Sequence, residues 1–569
     1  MKNPQGGGNM EYNLIGFVHF DKPNIKSNRV EGLVIKEKSS RLLRNKFIKI
    51  INSFSEETGK PKEFIGRILE GPFFIPEEVS RESALAQVAI LRGDEFPIPP
   101  NFYATIIIEI IGELFGSFIY STSSRPCPQS RIVELGEDEL NTILGLKDGN
   151  FIIGNLEGYE NVLIKFDSRK MSVLPRNLGI FGTVGSGKTN TAQVFIEELS
   201  ERETDPKEKW AVIVLDVEGE YTMMNKPEKI EEKHRNKLRD VFKIEPKGIE
   251  DFHVLKLCNT ESVIDPLAEE VTINIHQIDE YMLCEILQTT EPQSAALFTI
   301  IDRLRKNPKK EEPDPDSIIP KTKRKAGYTL QDIINEIDNY LKKQKTKSKD
   351  NEDIEKENKA EEILVRAQSL MPLKRKLLEL VRTKAFDVQT ASPIDPSAYL
   401  VPGRVTVFDL SYTGDYEKNL LTAQLLERVF KAKRDDTTLP KTMIMIEEAH
   451  TFVSRENKDR MMQTIRKLKE IARRGRKRWL SLCFISQQPA HLPSEIFELA
   501  NTRIVHNIRS KNNLDVLKLS SGDVTEEMWD SVPALNPGQA IINSPQFKNS
   551  LVVDVRHCRS KRIKQEDIK

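Results

Sequence analysis

The stretch Gly182-Thr183-Val184-Gly185-Ser186-Gly187-Lys188-Thr189 decides the fold of this chain. It fits the pattern G-x-x-x-x-G-K-[ST], and its neighbours fit as well. The apolar run at residues 178–181 predicts a buried strand before it, and the periodicity of residues 191–199 predicts an amphipathic helix after it. Strand, glycine loop and helix N-terminus together aim backbone N–H groups at a polyanion. The sequence therefore predicts a nucleotide-binding site.

Side chains of this stretch carry separate predicted roles. Lys188 is placed to reach the β- and γ-phosphates, and the Thr189 hydroxyl is placed to hold Mg²⁺. The alternative is a glycine-rich turn before an ordinary helix, and the flanking elements argue against it. The predicted nucleotide contacts in this stretch are Gly182, Thr183, Val184, Gly185, Ser186, Gly187, Lys188 and Thr189.

Length and composition bound the class of protein. A chain of 569 residues is long enough for about three or four domains. Lys+Arg and Asp+Glu number 86 each, so net charge gives no argument for nucleic acid, and any DNA site must be local. The five cysteines are scattered and show no C-x-x-C spacing, which argues against a disulfide framework or a zinc site and predicts a reducing cytoplasm.

No segment of the sequence indicates export or membrane insertion. Residues 1–10 are polar and glycine-rich, without the apolar region of a signal peptide. The most apolar window, residues 105–120, is too short to span a bilayer and is interrupted by Glu109 and Glu113. It predicts a pair of strands turning near residues 112–116. A cytoplasmic protein without a membrane contact is expected.

The pattern along the chain predicts two kinds of architecture. Short β-type runs before residue 148 favour a small antiparallel barrel or sandwich for assembly or docking. Later, near-continuous apolar runs alternate with helices, as in a parallel α/β sheet. Strands of this second kind are predicted at 162–166, 178–181, 211–216, 405–410, 442–446, 480–486 and 503–506.

The predicted boundaries divide the ATPase-type core into two separate segments. They are a flexible tail at 1–10, the N-terminal β-barrel at 11–148, the first core segment at 149–225, a helical insertion at 226–400, the second core segment at 401–556 and a polar tail at 557–569. Inside the insertion, the charged stretches 307–325 and 343–359 have too few apolar residues to pack, and loops or frayed helix ends are expected there.

A second nucleotide signal is a pair of acids, Glu447 and Glu448, that follows the apolar residues 443–446. In a parallel sheet this spacing places both carboxylates at the carboxyl end of a strand, where ligands bind. Glu447 is predicted on the metal side, and Glu448 is predicted to position and deprotonate the attacking water. The alternative is two solvated acids at the start of a helix, where the dipole also favours them.

Two weaker signals also follow apolar strands. Gln487, at the end of the run 480–485, is predicted to respond to the γ-phosphate, with an ordinary turn into Pro489 as the alternative. Glu220 lies in the acidic segment 216–221 and is either a supporting group near the nucleotide or part of a turn.

A basic run precedes the Gln487 strand. Its members are Arg473, Arg474, Arg476, Lys477 and Arg478. Such a run is usually a solvated helix face. An arginine in it can also stabilise charge in a neighbouring subunit's nucleotide site, or contact DNA phosphates, and the residues leave these alternatives open.

Several segments in a fixed order resemble the HerA family of the HerA/FtsK division of P-loop ATPases. The resemblance covers about residues 11–556. Its segments are Ile152-Ile153-Gly154-Asn155-Leu156, Val162-Leu163-Ile164-Lys165-Phe166-Asp167, the phosphate loop with Asn190-Thr191, Glu447-Glu448-Ala449-His450, Gly475-Arg476-Lys477, Ile485-Ser486-Gln487-Gln488-Pro489 and Leu535-Asn536-Pro537-Gly538-Gln539-Ala540.

The resemblance implies the fold class and a reaction. The fold is α/β: a RecA-like P-loop NTPase core with a parallel sheet, an N-terminal small β-barrel and a helical insertion. The activity is that of a ring-shaped homo-hexamer that hydrolyses ATP with Mg²⁺ to move on double-stranded DNA. Matching positions add Asn190 to the nucleotide contacts and make Arg476 the arginine acting across subunits. Arg455, Lys458 and Arg460 are candidates for contact with DNA.

The resemblance also implies an effector. Family members act beside a NurA-type nuclease in DNA end processing, and related proteins are coupled to nuclease or Sir2-like effectors in defence against phage. A different class of function stays open: a ring scaffold that binds ATP to assemble and activate such an effector, with little movement on DNA.

Overall fold

The computed structural model describes residues 13–21, 26, 28–55, 61–76, 102–264, 268–306, 327–347, 367–452, 462–522 and 524–563. The predicted tail at 1–10, the stretch 307–325 and the DNA-contact candidates Arg455, Lys458 and Arg460 lie outside the described residues. Among the helices within these ranges, none combines the length and apolar character needed to cross a bilayer.

The chain folds as two compact units that do not follow the order of the sequence. Unit 1 contains Met1–Phe166, Asp523–Ser531 and Gln546–Asp554. Unit 2 contains Asp167–Gly522, Val532–Pro545 and Val555–Lys569. Two segments near the end of the chain therefore return to the N-terminal unit.

The strands are numbered in chain order. They are β1 Leu14–Val18, β2 Arg29–Val34, β3 Phe47–Ser55, β4 Pro61–Pro76, β5 Phe102–Phe115, β6 Phe118–Tyr120, β7 Arg131–Glu134, β8 Phe151–Leu156, β9 Leu163–Phe166, β10 Asn177–Phe181, β11 Ala211–Asp216, β12 Phe252–Leu257, β13 Glu269–Thr272, β14 Ser392–Pro393, β15 Val405–Asp409, β16 Thr442–Ile446, β17 Leu480–Ser486, β18 Ala500–Val505, β19 Gln539–Asn543 and β20 Leu551–Val555.

The α-helices are numbered separately. They are α1 Glu137–Ile143, α2 Lys188–Glu201, α3 Glu232–Asp240, α4 Glu280–Ile286, α5 Glu291–Lys306, α6 Leu330–Lys347, α7 Ala367–Thr383, α8 Pro396–Tyr399, α9 Asp415–Asp435, α10 Ala449–Phe452, α11 Met462–Arg474, α12 Ser494–Phe497, α13 Lys511–Ser520 and α14 Glu526–Ser531.

Unit 1 is built on an antiparallel β-barrel. The strands follow the order β2-β1-β7-β3-β4-β5, and β2 also pairs with β5, which closes the sheet. Closure removes the unpaired strand edges that an open sheet would expose. Side chains such as Ile50, Phe64, Ile106 and Ile132 fill the interior. The predicted N-terminal barrel is confirmed, and the predicted strand pair is β5 and β6.

Unit 2 is built on a sheet that is parallel except at one edge. The order is β14-β13-β12-β15-β11-β16-β17-β10-β18-β19, and the β18–β19 pair alone among these pairings is antiparallel. Buried strands such as β10, β11, β16 and β17 have every residue buried, which explains their near-continuous apolar sequences. The predicted RecA-like core with a parallel sheet is confirmed.

The sheet order brings distant segments to one edge. Strand β10, which leads into the phosphate loop, lies between β17 and β18, and β16 lies between β17 and β11. Because these strands are parallel, the residues that follow β10, β11, β16 and β17 all emerge at the same edge. The predicted nucleotide contacts and the predicted acids are brought together in this way.

The helical insertion begins later in the chain than residue 226. Strands β12 and β13 fall inside the range 226–400, yet they belong to the core sheet beyond β15. Their sequences, Phe-His-Val-Leu-Lys-Leu and Glu-Glu-Val-Thr, mix charged and apolar residues because these strands lie toward the edge of the sheet and are only partly buried. A search for continuous apolar runs therefore passes over them.

The remaining insertion is helical, and its helix α7 continues through Pro372. Its residues Leu370, Leu373, Leu377 and Leu380 are all buried, so burial of this apolar stripe outweighs the local cost of proline. Helix α6 ends at Lys347, inside the stretch 343–359, for which loops or frayed helix ends are predicted.

Candidate nucleotide-binding site

The phosphate loop connects β10 to α2 through two residues in the left-handed region. Gly185 has φ +73° and Gly187 has φ +113°, a backbone conformation that favours glycine. A Cβ on Gly187 would also lie 3.1 Å from the backbone nitrogen of Gly538. Gly187 is the N-cap of α2, so the free N–H groups of this helix begin at the loop. This geometry provides an anion cradle.

Neighbouring segments hold the loop in place. The backbone N–H and the hydroxyl of Thr183 both donate to the carbonyl of Asn507, at 2.9 and 3.0 Å. The backbone N–H of Gly538 donates to the carbonyl of Ser186 at 2.9 Å. The loop is thus fixed from the ends of β18 and of the turn before β19, while Val184 at its tip is 80% exposed.

Lys188 is buried at the base of the loop. Its Nζ donates to the carbonyl of Thr183 at 3.0 Å. Burial lowers the pKa of the Lys188 ammonium, while the nearby carboxylates of Glu448, Glu220 and Glu447 raise it. These acids therefore lie close enough to Lys188 to interact with it, as a shared phosphate and metal site requires.

The end of β11 forms a compact acidic turn. The Asp216 carboxylate accepts hydrogen bonds from the N–H groups of Gly219, Glu220 and Tyr221, at 2.7 to 3.1 Å. The Thr189 hydroxyl donates to Glu220 Oε2 at 2.5 Å. The segment 216–221 is therefore both a turn and a group that contacts the predicted metal ligand.

Glu447 is buried behind this turn. Its Oε2 accepts hydrogen bonds from the backbone N–H groups of Val217 and Glu218, at 3.1 and 3.3 Å. Burial and the neighbouring Asp216 raise the pKa of Glu447 well above its ordinary value, and burial raises the pKa of Asp216 to about 7. The two side chains are hydrogen-bonded to each other, and such a bond between two carboxyl groups requires that one of them carry a proton.

Glu448 adopts a different position from its neighbour. Its φ of +42° is unusual for a residue with a side chain. Its Oε2 accepts a hydrogen bond from the Gln487 backbone N–H at 3.2 Å and lies 3.1 Å from His450 Nδ1. The structure thus brings Glu448 and the Gln487 segment together at the carboxyl ends of β16 and β17.

Arg476 lies near the amino-terminal end of β17, whereas the phosphate loop lies at the carboxyl ends of the strands. It precedes β17 in a 3₁₀ turn at Gly475–Arg478, so the full length of β17, about 20 Å, separates it from Gln487. Its Nε donates to the carbonyl of Met171 at 3.0 Å, and its side chain is exposed. Arg476 is therefore not brought to the phosphate loop of its own chain.

Asn190 is held by the end of the chain. Its amide donates to the carbonyl of Arg556 at 2.8 Å, and its Oδ1 accepts from the backbone N–H of Cys558 at 2.9 Å. The side chain predicted as a nucleotide contact thus bridges α2 to the segment that follows β20. We call this segment, residues 555–563, the C-terminal strap.

The C-terminal strap is not the free polar tail that the sequence predicts at 557–569. Its Arg556 is fully buried and paired with Glu197 at 3.1 Å and with Glu198 at 2.9 Å. The N–H groups of Arg559 and Ser560 both donate to Glu197 at 2.8 Å. The polar face of α2 is buried under these contacts, which explains why a helix predicted as amphipathic is covered on both faces.

Sequence reasoning did not single out His506 at the end of β18. The ring is fully buried, with Nε2 2.8 Å from the Thr191 hydroxyl and Nδ1 2.8 Å from the carbonyl of Gln539. Burial lowers the pKa of His506 to about 4, so the imidazole is neutral at pH 7. It fixes α2 next to the phosphate loop. The sequence signal that could have identified His506 is a polar residue at the end of an apolar strand, which is the signal that identified Gln487.

The donor set suits Mg²⁺ with a nucleotide. Among the residues that the structure describes, no group of three or more His, Cys, Asp and Glu side chains is arranged to hold a metal ion alone. Mg²⁺ at phosphate sites takes few protein ligands and completes its shell with phosphates and water. A threonine hydroxyl beside carboxylates, at the foot of a glycine cradle, fits that requirement. The five cysteines are free.

Comparison with known proteins identifies a family model and several relatives that match this chain. Residues 151–429 match the family model described as helicase HerA, central domain. This match places the central part of the chain, residues 151–429, in the HerA family. A probable helicase of Methanocaldococcus jannaschii is 27% identical over 76% of this chain and 71% of that protein. The DNA double-strand break repair helicase HerA of Saccharolobus solfataricus is 24% identical over 74% and 71%.

A solved structure is also similar to this chain, at lower sequence identity. VirB4 of Thermoanaerobacter pseudethanolicus is 13% identical, with a TM-score of 0.48 over 74% of this chain and 99% of that chain. The HerA match ends at residue 429, before Glu447 and Glu448, so the roles of these acids depend on the geometry described above.

Proposed function

We propose that this HerA-family chain is an ATP-driven translocase or helicase that moves on double-stranded DNA. One observation carries the proposal: Lys188, Thr189 and Glu448 meet at one edge of the sheet around a glycine cradle. Two relatives that share about three quarters of the chain are a probable helicase and a DNA double-strand break repair helicase. The proposed cofactors are ATP and Mg²⁺.

The proposed reaction divides among residues of this chain. Bound Mg²⁺ would neutralise charge on the phosphates and align them. Lys188 would exchange the Thr183 carbonyl for phosphate oxygens, since a phosphate is the stronger partner for an ammonium. Glu448 would orient and deprotonate water, held by the Gln487 backbone N–H. Gln487, whose side chain is half-buried at the same strand end, would respond to the γ-phosphate.

The position of Arg476 supports a ring. Because it is exposed and about 20 Å along β17 from its own site, it can serve catalysis only in the site of a neighbouring subunit. We propose a homo-hexamer in which Arg476 stabilises the charge that develops during phosphoryl transfer next door. Arg474, another cation of the basic run, pairs with Glu470.

A mixing experiment tests this arrangement. We expect Arg476→Ala and Glu448→Gln each to reduce ATP hydrolysis at least about a hundredfold, and a mixture of the two proteins, exchanged into common rings, to regain some of it. A subunit with intact Glu448 then lies beside one with intact Arg476. Phosphate release measures the outcome. Lys477→Ala, which removes an exposed cation from the same turn, is the control and should retain activity. No recovery in mixed rings would contradict an arginine acting across subunits.

Double-stranded DNA should stimulate hydrolysis in a salt-dependent manner. Phosphate contacts dominate such binding, so a protein making six to ten of them loses about 10³–10⁵ in affinity between 50 and 200 mM salt. We expect linear duplex to accelerate ATP hydrolysis at low salt and to lose its effect as salt rises. The control is hydrolysis without DNA over the same salt range. Hydrolysis that is indifferent to DNA would exclude the motor and favour the scaffold.

The scaffold is the second candidate function, and one feature of unit 1 favours it. The barrel exposes aromatic side chains, among them Phe74, Phe115, Phe118 and Tyr120, each more than half exposed. Exposed aromatic residues are typical of protein contacts. We propose that an effector, a NurA-like nuclease in DNA end processing or a nuclease or Sir2-like enzyme in defence against phage, works with the ring. In the scaffold form, ATP would assemble and activate it with little movement on DNA.

A further inference from the structure

We infer that Glu220, rather than Glu447, is the carboxylate that orients the Thr189 hydroxyl toward the metal. The inference rests on the proposed ATPase function and concerns how its metal site is built. It starts from one contact: Thr189 Oγ1 donates to Glu220 Oε2 at 2.5 Å. The sequence alone predicts Glu447 as the carboxylate on the metal side.

The contact has a direct consequence for the hydroxyl. A threonine hydroxyl carries one hydrogen and two acceptor lone pairs. With its hydrogen directed at Glu220, both lone pairs of Thr189 are left for a cation. A carboxylate acceptor also makes this hydrogen bond short and strong, and it increases the negative charge on the hydroxyl oxygen. Glu220 therefore acts on the metal through Thr189, as a positioning residue.

Glu447 is committed to another task. Its Oε2 accepts the backbone N–H groups of Val217 and Glu218, and it shares a hydrogen bond with Asp216. Both of these contacts bind it to the turn that carries Glu220. The side chain is also buried, with 4% of its surface exposed. Glu447 thus holds the backbone of the turn, whereas Glu220 contacts the Thr189 hydroxyl.

The turn is built firmly enough to position a side chain. Asp216 ties down three successive N–H groups, those of Gly219, Glu220 and Tyr221. Gly219 has φ +75°, and the ring of Tyr221 is completely buried. Glu220 therefore lies between two residues whose conformations are fixed, and this holds its carboxylate in one position. Its neighbour Glu218 is exposed and provides a matched control.

Nucleotide binding without turnover tests the inference. A fluorescent ATP analogue is titrated in EDTA and then at rising Mg²⁺, and the half-saturating Mg²⁺ concentration is measured. For Glu220→Ala we expect this concentration to rise about tenfold, equivalent to about 1.4 kcal/mol, because the Thr189 hydroxyl loses the charged acceptor that orients it. Binding in EDTA should not change. Glu220→Gln, which keeps an acceptor oxygen, should recover some of the loss, and Glu218→Ala should match the wild type.

A double variant separates positioning from structural support. If Glu220 acts through the hydroxyl, Thr189→Val should raise the Mg²⁺ requirement, and adding Glu220→Ala should raise it no further. Additive effects would overturn the inference, as would a normal Mg²⁺ requirement in Glu220→Ala or a loss of binding in EDTA. If instead the wild type binds no nucleotide at all, the proposed ATPase function fails. The two failures are therefore distinguishable.

Discussion

Glu448→Gln should reduce ATP hydrolysis by about 10²–10⁴-fold, the usual contribution of a general base, while ATP remains bound. The amide keeps the shape of the side chain and its carbonyl can still accept the Gln487 N–H, but it cannot take a proton from water. Phosphate release and nucleotide binding, measured on the same preparation, check both halves of the prediction.

The control for this variant removes a carboxylate from the same edge of the sheet. Glu218→Gln changes an exposed side chain one strand away and should hydrolyse ATP at the wild-type rate. If the Glu448→Gln protein retained more than about a tenth of the wild-type rate, the loss of rate would be smaller than the loss expected on removal of a general base. Glu448 would then be a structural acid at the start of α10.

Arg556→Met should loosen α2 without disturbing unit 1. The guanidinium is fully buried against Glu197 and Glu198, and removal of one partner of a buried ion pair typically costs about 3–5 kcal/mol. Glu197 retains three donors from Arg559 and Ser560, so the lower end of that range is expected. Amide hydrogen exchange in α2 should then become about a hundredfold faster.

Unit 1 and a second arginine provide the controls for this measurement. Exchange in the barrel strands β3 and β4 should stay unchanged, because they belong to the other compact unit. Arg562→Met removes a positive charge from the same strap at a half-buried position, and it should leave α2 exchange near the wild-type rate. Equal acceleration in both variants would mean that net charge, not the buried pair, stabilises the helix.

The sequence predicts the features of the site that depend on local pattern. The phosphate loop needs glycine conformations within a few residues, and Glu447 and Glu448 follow directly from a buried apolar run. Parallel strands then carry these segments to one edge, which the alternation of strands and helices already implies. The parallel α/β sheet follows from the same periodic signals, which left a barrel or a sandwich open for the N-terminal part of the chain.

The contacts that complete the site depend on sheet register instead. Glu220 meets a hydroxyl 31 positions earlier, and His506 meets one 315 positions earlier. Nothing in either local segment specifies its partner. The edge strands β12 and β13 were missed because partial burial permits charged residues, and the strap was missed because its polar sequence is typical of a tail although its charges are paired and buried.

The strap also sets the time at which the site can form during synthesis. Glu197 and Arg556 are 359 positions apart in the chain. At translation rates of about 5–20 residues per second, α2 leaves the ribosome roughly 20–70 s before its partner arginine is made. For that interval the acids of α2 face water and the phosphate loop lacks the turn at Gly538. The phosphate loop and α2 therefore gain these two supports only after Gly538 and Arg556 have been synthesised.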